Sequence, residues 1–291
     1  MINTVVVHNG NFHADDVFAV AILQMIYPKV QIIRTRDEKI IKKADLRVDI
    51  GLKYDPLTND FDHHQIDGAG FRENGIPYAS VGLIWKHFWN KLVDNTEEFK
   101  YIDEKIIQCI DADDNGFKVY KSEIASPYTL SMLITSFTPD WQDKKQDFDK
   151  KFFTAVKFAK QILKIEIKKA KGYSKAGKML KIALEKNKKN YLVLNKPCPW
   201  KSYLIDNNAK IDFVIYESTS NSNWHIQAVP FRKDSFDVKK EFPKEFAGLK
   251  DDELSKKTGI SDSVFCHRNL FLMVFKSKES AIKMAEIMNT L

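Results

Sequence analysis

The hydrophobic pattern begins with a short β-branched run, "NTVVVH", whose length and composition predict a buried strand ending at His8. After a glycine-bearing loop, "ADDVFAVAILQMIYP" carries apolar residues on every side and stops at Pro28. That predicts a buried helix with Asp15 and Asp16 in its first turn, where carboxylates suit the helix dipole. A strand at "VQIIR" (30–34), a short helix near 37–43 and a strand within "ADLRVDIG" (44–51) follow. Strand and helix alternate here over about fifty residues, which predicts parallel pairing in an α/β sheet. Sheets of this kind hold their sites beyond the carboxyl ends of the strands. His8 and Asp49, each at a strand end, are therefore expected on one rim.

Further along, "YASVGLIWKHFWNKLV" (78–93) and "YIDEKIIQCIDADDNG" (101–116) have helical spacing. Trp85, Phe88 and Trp89 sit at that spacing and read as core. Thr138-Pro139 has the form of a cap and first helical residue. It would open a helix with apolar positions at Phe148, Phe152, Val156, Ala159, Leu163 and Ile167, running to the 180s with an interruption near Gly172 or Gly177. From 190 onward, "NYLVLN", "KIDFVIYES", "NWHIQAVPF", "SVFCH" and "NLFLMVFK" read as strands of an antiparallel sheet. A helix at "DDELSKKTG" and a terminal helix from Ser277 accompany them. The expected fold is α/β. A mostly parallel sheet flanked by helices spans 1–139, a lysine-rich helical connector spans 140–189, and a smaller α+β domain spans 190–291.

Composition narrows the class. With 291 residues, 44% hydrophobic and 29% charged, the chain is globular. No apolar stretch approaches the roughly 20 residues needed to cross a bilayer. The N-terminus has neither a secretory nor a transit-peptide layout. Cys109, Cys198 and Cys266 are scattered, odd in number and free of a CxxC pair. That argues against a disulfide framework or a thiolate zinc site and suits the cytoplasm; Cys198 and Cys266 read as packing residues. The net charge is +7, and lysines crowd from Lys144 to Lys189. This run is either the solvated face of a long helix or a surface that attracts phosphate.

Four of the seven histidines fall within the first 64 residues, in "HNGNFHADD" (8–16) and "FDHHQ" (61–65). Each has an ordinary reading by itself: loop histidines, a strand-end aspartate, and a turn at Asp114-Asn115-Gly116. Together His8, His13, Asp15, Asp49, Asp62, His63 and His64, with Asp111 and Asp114 later, gather donors on one expected rim. Imidazole and carboxylate without thiolate favour Mn²⁺, Mg²⁺ or Zn²⁺. So many acids need cations to offset their repulsion, and two divalent ions bridged by one carboxylate would serve phosphoryl chemistry. The zinc-protease helix HExxH is absent.

As an ordered set, "HNGNFHADDVFAVAIL", "RTRD" (34–37), "VDIG" (48–51), "FDHHQ", "SVGLIWKHF" (80–88) and "IDADDNG" (110–116) resemble the Myg (melanocyte proliferating gene) family of the DHH phosphoesterase superfamily. "WHIQAVP" (224–230), "FPKEFAGLKDDELSKKTGI" (242–260) and "FCH" (265–267) extend the resemblance over nearly the whole chain. It implies a parallel α/β domain with a two-metal site, joined by a helix to a smaller substrate domain. It further implies His8 and His13 on one metal, Asp15 and His63 on the second, and Asp49 bridging both. His64 would touch the substrate phosphate, with Asp62 holding a histidine. Asp114 is the last acidic ligand, with Asp111 as the alternative.

Two departures stand out. The superfamily's H-x3-D-x-D is H-x4-H-x-D here, and imidazole tilts a site toward later divalent ions. Where many members carry a glycine-rich phosphate loop, this chain has "CHRNLFLMVFK". Either His267 and Arg268 grip phosphate instead, or substrate binding differs. Arg72, in the glycine-bearing "GAGFRENG", is a candidate substrate contact, with a plain surface loop as the alternative. The resemblance implies a metal-dependent phosphodiesterase, a 3′–5′ exonuclease acting on RNA or short oligonucleotides with two divalent ions, Mn²⁺ foremost. The competing readings are a pyrophosphatase or small-nucleotide phosphatase, and a non-catalytic nucleic-acid-binding protein with a structural metal site. Oligomeric state is open, a homodimer included.

Overall fold

The computed structural model describes residues 2–117, 120, 124–233, 235 and 237–290. The chain divides into two compact units, residues up to Gly172 and residues from Tyr173 on. In the first, β1 (Thr4–Val7), α1 (Ala14–Ile26), β2 (Gln31–Arg34), α2 (Glu38–Ile41) and β3 (Leu46–Val48) alternate as the pattern predicts. Two further strands, β4 (Tyr54–Asp55) and β5 (Asp60–Phe61), are too short for periodicity to reveal. They complete a sheet of order β2-β1-β3-β5-β4. β1 runs parallel to β2 and β3, β3 runs parallel to β5, and β4 is antiparallel. Three parallel strands thus end on one rim, and each hands over directly to candidate chemistry: His8 after β1, Asp49 after β3, Asp62 to His64 after β5.

Because α1 is apolar on all sides it is interior, with Ala14 to Leu23 buried throughout. Against it packs α3 (Ser80–Phe88), whose Trp85 is wholly buried and stacks on Phe99 at 5.9 Å. Phe88 and Trp89 lean on the same core. α4 (Thr96–Ile102), a π-helical turn at Asp103–Ile107 and α5 (Gln108–Asp114) follow, then α6 (Leu130–Thr135) and the long α7 (Phe148–Lys186).

α7 corrects two expectations. Thr138-Pro139 does not open it; the Thr138 hydroxyl donates to the Thr135 carbonyl at the end of α6. The start is set instead by Asp147, whose carboxylate accepts from the Lys150 N–H at 3.0 Å. No interruption occurs at Gly172 or Gly177, since an isolated glycine weakens a helix without breaking it. The segment read as a connector takes part in both cores. Phe152, Val156, Ala159 and Leu163 belong to the first, and Leu180 to a cluster of the second unit.

The second unit contains β6 (Tyr191–Leu194), α8 (Lys201–Asp206), β7 (Phe213–Glu217), β8 (Trp224–Ala228), α9 (Asp251–Thr258), β9 (Ser263–Cys266), β10 (Leu272–Phe275) and α10 (Lys278–Thr290). Its sheet, in the order β6-β7-β8-β10-β9, is mixed and not wholly antiparallel. α8 carries the chain back across the sheet, so β6 and β7 are parallel, as a helical crossover requires. Met284 and Met288 of α10 and buried Cys266 fill the core beside Phe213 and Phe275. Among the described residues no helix is long and apolar enough to cross a membrane.

Candidate metal centre

The backbone places the donors before any side chain is considered. Asp49 leaves β3 with φ 54°, a left-handed conformation that aspartate tolerates better than most residues. Its N–H still bonds the Phe61 carbonyl at 3.1 Å, which ties the β3 and β5 ends together. The Asp62 carboxylate steadies both segments. It accepts from the Leu52 N–H at 2.6 Å and from His64 Nδ1 at 2.7 Å.

Asp49 stands between two histidines. Its Oδ2 lies 3.1 Å from His8 Nε2, and its Oδ1 lies 3.5 Å from His63 Nε2. Asp16 Oδ2 is 3.3 Å from His8 Nε2 on one side. On the other, Asp114 Oδ2 is 3.2 Å and Asp15 Oδ2 is 3.8 Å from His63 Nε2. His8 Nδ1 donates to the Asn9 carbonyl at 3.2 Å in the tautomer that turns the Nε2 lone pair toward the acids. Three overlapping donor groups result: His8, Asp16 and Asp49; Asp15, His63 and Asp114; Asp49, His63 and His64. Asp49 belongs to two of them.

The carboxylates also organise the helix behind them. Ser80 N–H and Val81 N–H donate to Asp15 at 3.1 and 2.5 Å, while Ala79 N–H and Gly82 N–H donate to Asp111 at 3.2 and 3.0 Å. The start of α3 is thereby buried between two acids that satisfy its free amides and its dipole. The Ser80 hydroxyl donates to Asp49 Oδ1 at 3.1 Å.

Electrostatics show which charge the pocket favours. Burial, then repulsion from Asp49 and Asp114, raises Asp15 well above the usual carboxylate range. Burial pushes Asp16 up to about 7. Burial alone would lower His63, yet Asp114 and Asp49 raise it to about 11. Burial likewise opposes the shift at Asp49, where His63 and His8 nevertheless hold the carboxyl below its ordinary value. The site selects positive charge. Buried Asp16 Oδ2 has no hydrogen-bond partner, and His63 Nε2 would offer a lone pair to a cation that displaces its proton. Oxygen and imidazole donors without thiolate fit a hard-to-borderline divalent ion.

Several sequence expectations change at this point. His13 is exposed and belongs to none of the three groups; it starts α1, its N–H donating to Asp16 Oδ1 at 2.9 Å. The place beside His8 is taken by Asp16, which the sequence suggested only as a helix-dipole residue. Between the two late acids, Asp114 faces His63, while Asp111 is committed to α3 and Arg72. Arg72 is not a free substrate contact. Its guanidinium is buried, bonds Asp111 at 2.6 Å and Asp103 at 2.9 Å, and lies 4.5 Å from the Tyr78 ring. Burying two carboxylates there required a cation, which Arg72 supplies. Ser80 was missed altogether, since nothing marks a lone serine before a helix as a neighbour of Asp49.

His267 and Arg268 stand in the second unit, in the turn between β9 and β10. His267 Nδ1 accepts from the Asn269 N–H at 3.0 Å and its ring lies 4.4 Å from that of Phe271; Arg268 is exposed. In place of a glycine, Leu270 takes φ 57° and anchors the turn in the core.

A family model, MYG1_exonuc, described as uncharacterised protein family UPF0160, matches residues 4–288. The chain belongs to this family. Among its relatives, the "MYG1 protein" of Dictyostelium discoideum is 31% identical, covering 97% of this chain and 95% of its own length. The "MYG1 exonuclease" of Homo sapiens is 28% identical, covering 96% and 83%. Two solved structures align at 12% identity. "pGpG-specific phosphodiesterase - PggH from Vibrio cholrae" covers 99% of each chain with a TM-score of 0.33. RecJ in complex with Mn²⁺ from Thermus thermophilus covers 98% of this chain and 51% of its own, with a TM-score of 0.29. The acids and histidines described above all lie within the stretch matched by the family.

Proposed function

We propose that this MYG1-family protein is a metal-dependent phosphodiesterase, a 3′–5′ exonuclease acting on RNA or short oligonucleotides with two divalent ions, Mn²⁺ foremost. The observation that carries this reading is the Asp49 carboxylate, which faces His8 through one oxygen and His63 through the other. The exonuclease named among the relatives agrees with it. His8, Asp16 and Asp49 would hold one ion; Asp15, Asp49, His63 and Asp114 would hold the second. Bound there, divalent ions supply charge for the phosphoryl oxygens and acidify the attacking water.

The chain's own groups do the rest. His64 is half-exposed, and Asp62 raises its affinity for a proton, so its ring serves as a donor to a phosphate oxygen. Asp62 fixes the orientation of that ring. Ser80 and the start of α3 hold Asp49 and Asp15 so that neither turns away when substrate arrives. The lysines of α7 in the first unit, exposed at Lys164 and Lys168, give a longer strand positive charge for its backbone. The cytoplasm is the proposed compartment, supported by three free cysteines.

The test begins with elemental analysis of protein purified without chelator, followed by end-labelled RNA and the ion found. Stepwise release of nucleotides, abolished in Asp49→Ala and His63→Ala, is the expected result. Release of phosphate from pyrophosphate with no cleavage of RNA would favour a pyrophosphatase. Loss of thermal stability on chelation, with no hydrolysis of any substrate, would favour a structural metal site.

A further inference from the structure

Beside the metal centre the first unit has a cleft of about 550 Å³, within the size range of sites for small molecules. It adjoins the centre, because Asp114 belongs to both. Asp113, Ser131, Thr135 and Ser136 also line it, together with His13. Ile110 and Met132 supply an apolar wall. None of its described lining residues is a lysine or arginine.

That lining decides what enters. A second phosphate lodged there would meet the Asp113 carboxylate with no lysine or arginine among the described lining residues to offset it, so the part of the substrate lodged here is uncharged. The hydroxyl chemistry is equally directional. Thr135 Oγ1 donates to the Ser131 carbonyl at 3.0 Å, and Ser136 Oγ donates to the Leu133 carbonyl at 2.7 Å. With their protons spent on α6 itself, both side chains present lone pairs. Asp113 is also an acceptor. Thr129, whose hydroxyl caps α6 at the Met132 N–H, donates to Asp113 Oδ2 at 3.2 Å and holds the carboxylate at the wall. A cleft rich in acceptors, poor in cations and apolar on one side suits a group with several O–H donors and a flat apolar body.

We infer that this cleft is a ribonucleoside subsite, with Asp113 accepting from the ribose hydroxyls of the strand's terminal nucleotide while its phosphate lies at the metal centre. The inference rests on the phosphodiesterase reading for the phosphate's position and adds the sugar as the feature recognised. Carboxylates elsewhere read ribose hydroxyls in the same way.

The experiment uses the metal-loaded full-length protein and two probes, AMP and 2′,3′-dideoxy-AMP, with binding measured by calorimetry. AMP is expected to bind about tenfold or more tightly than its dideoxy analogue, the scale of hydrogen bonds to a charged acceptor. The preference should vanish in Asp113→Ala with metal content unchanged. Ser136→Trp, at an exposed position, should fill the cleft and abolish AMP binding while metal content and melting temperature hold; Thr135→Trp repeats the test should the first variant fold poorly. Equal binding of the two probes, or wild-type affinity in a folded tryptophan variant, overturns the subsite. If oligonucleotides resist cleavage while AMP shows this pattern, the hydrolase reading fails and the subsite stands. If oligonucleotides are cut without the pattern, the subsite alone fails.

Discussion

Asp16 and His13 are three residues apart, and the structure assigns them opposite environments. Asp16 is wholly buried beside His8, whereas His13 faces solvent. Asp16→Ala is therefore expected to lower affinity for the divalent ion by about tenfold or more, as loss of a ligand or its support does. His13→Ala should retain the ion, and metal titration of both variants checks this. Arg72 is judged by stability. Removing it leaves Asp103 and Asp111 buried without their cation, so Arg72→Ala should cost about 3–5 kcal/mol in a urea melt. A change in KM at an unchanged urea midpoint would instead restore the role first suggested by its glycine-bearing loop. These two residues also mark where the sequence stopped being legible. His8 and Asp49 are visible because each directly follows a short strand, the β-branched Thr4–Val7 and Leu46–Val48. The partners of Arg72 lie 31 and 39 residues further on, and no spacing rule connects them.

At the scale of elements, α3 is the part on which the site depends. A Cβ on Gly82 would stand 2.1 Å from Asp111 Oδ2, and that carboxylate is held by Arg72 and cannot withdraw. Gly82→Ala should destabilise the protein by at least about 1–3 kcal/mol, the range for overpacked cores, and should disturb Asp15 through the same helix end. The glycines of α7 form a contrast. A Cβ on Gly172 meets nothing within 4 Å, so Gly172→Ala should stabilise by about 0.5–1 kcal/mol. On Gly177 it would lie 3.2 Å from the Tyr203 ring, which should erase most of that gain. Thermal melts of the two variants separate the cases. α1, from its unbroken apolar run, and α3 and the body of α7, from helical spacing, were readable from pattern alone. Strands of two residues were not, and β5 is the one that brings His63 to the rim. The parallel pairing of β6 with β7 was hidden for a related reason: strand patterning reports burial, while direction depends on the crossover between strands.

For the whole molecule, an ion that binds the folded protein alone adds stability by mass action. At a free concentration a hundred times its Kd the gain is about 2.7 kcal/mol, seen as a rise in Tm that a chelator reverses. Where the first unit ends matters as much. The sheet and α1 are covered by Phe152, Val156, Ala159 and Leu163 of α7, beyond the boundary at 139 that composition suggested. A fragment of residues 1–139 should remain unfolded or aggregate, and one of 1–172 should fold and take up metal, as circular dichroism and elemental analysis would report. The same placement has a consequence during translation. All the donors are polymerised by residue 114, yet the apolar cover that fixes them arrives with Leu163. On the ribosome the nascent carboxylates are therefore expected to stay loose and hydrated through that interval, and uptake of the proposed ions to wait until the closing helix emerges from the exit tunnel; metal binding by arrested nascent chains of different lengths would check this.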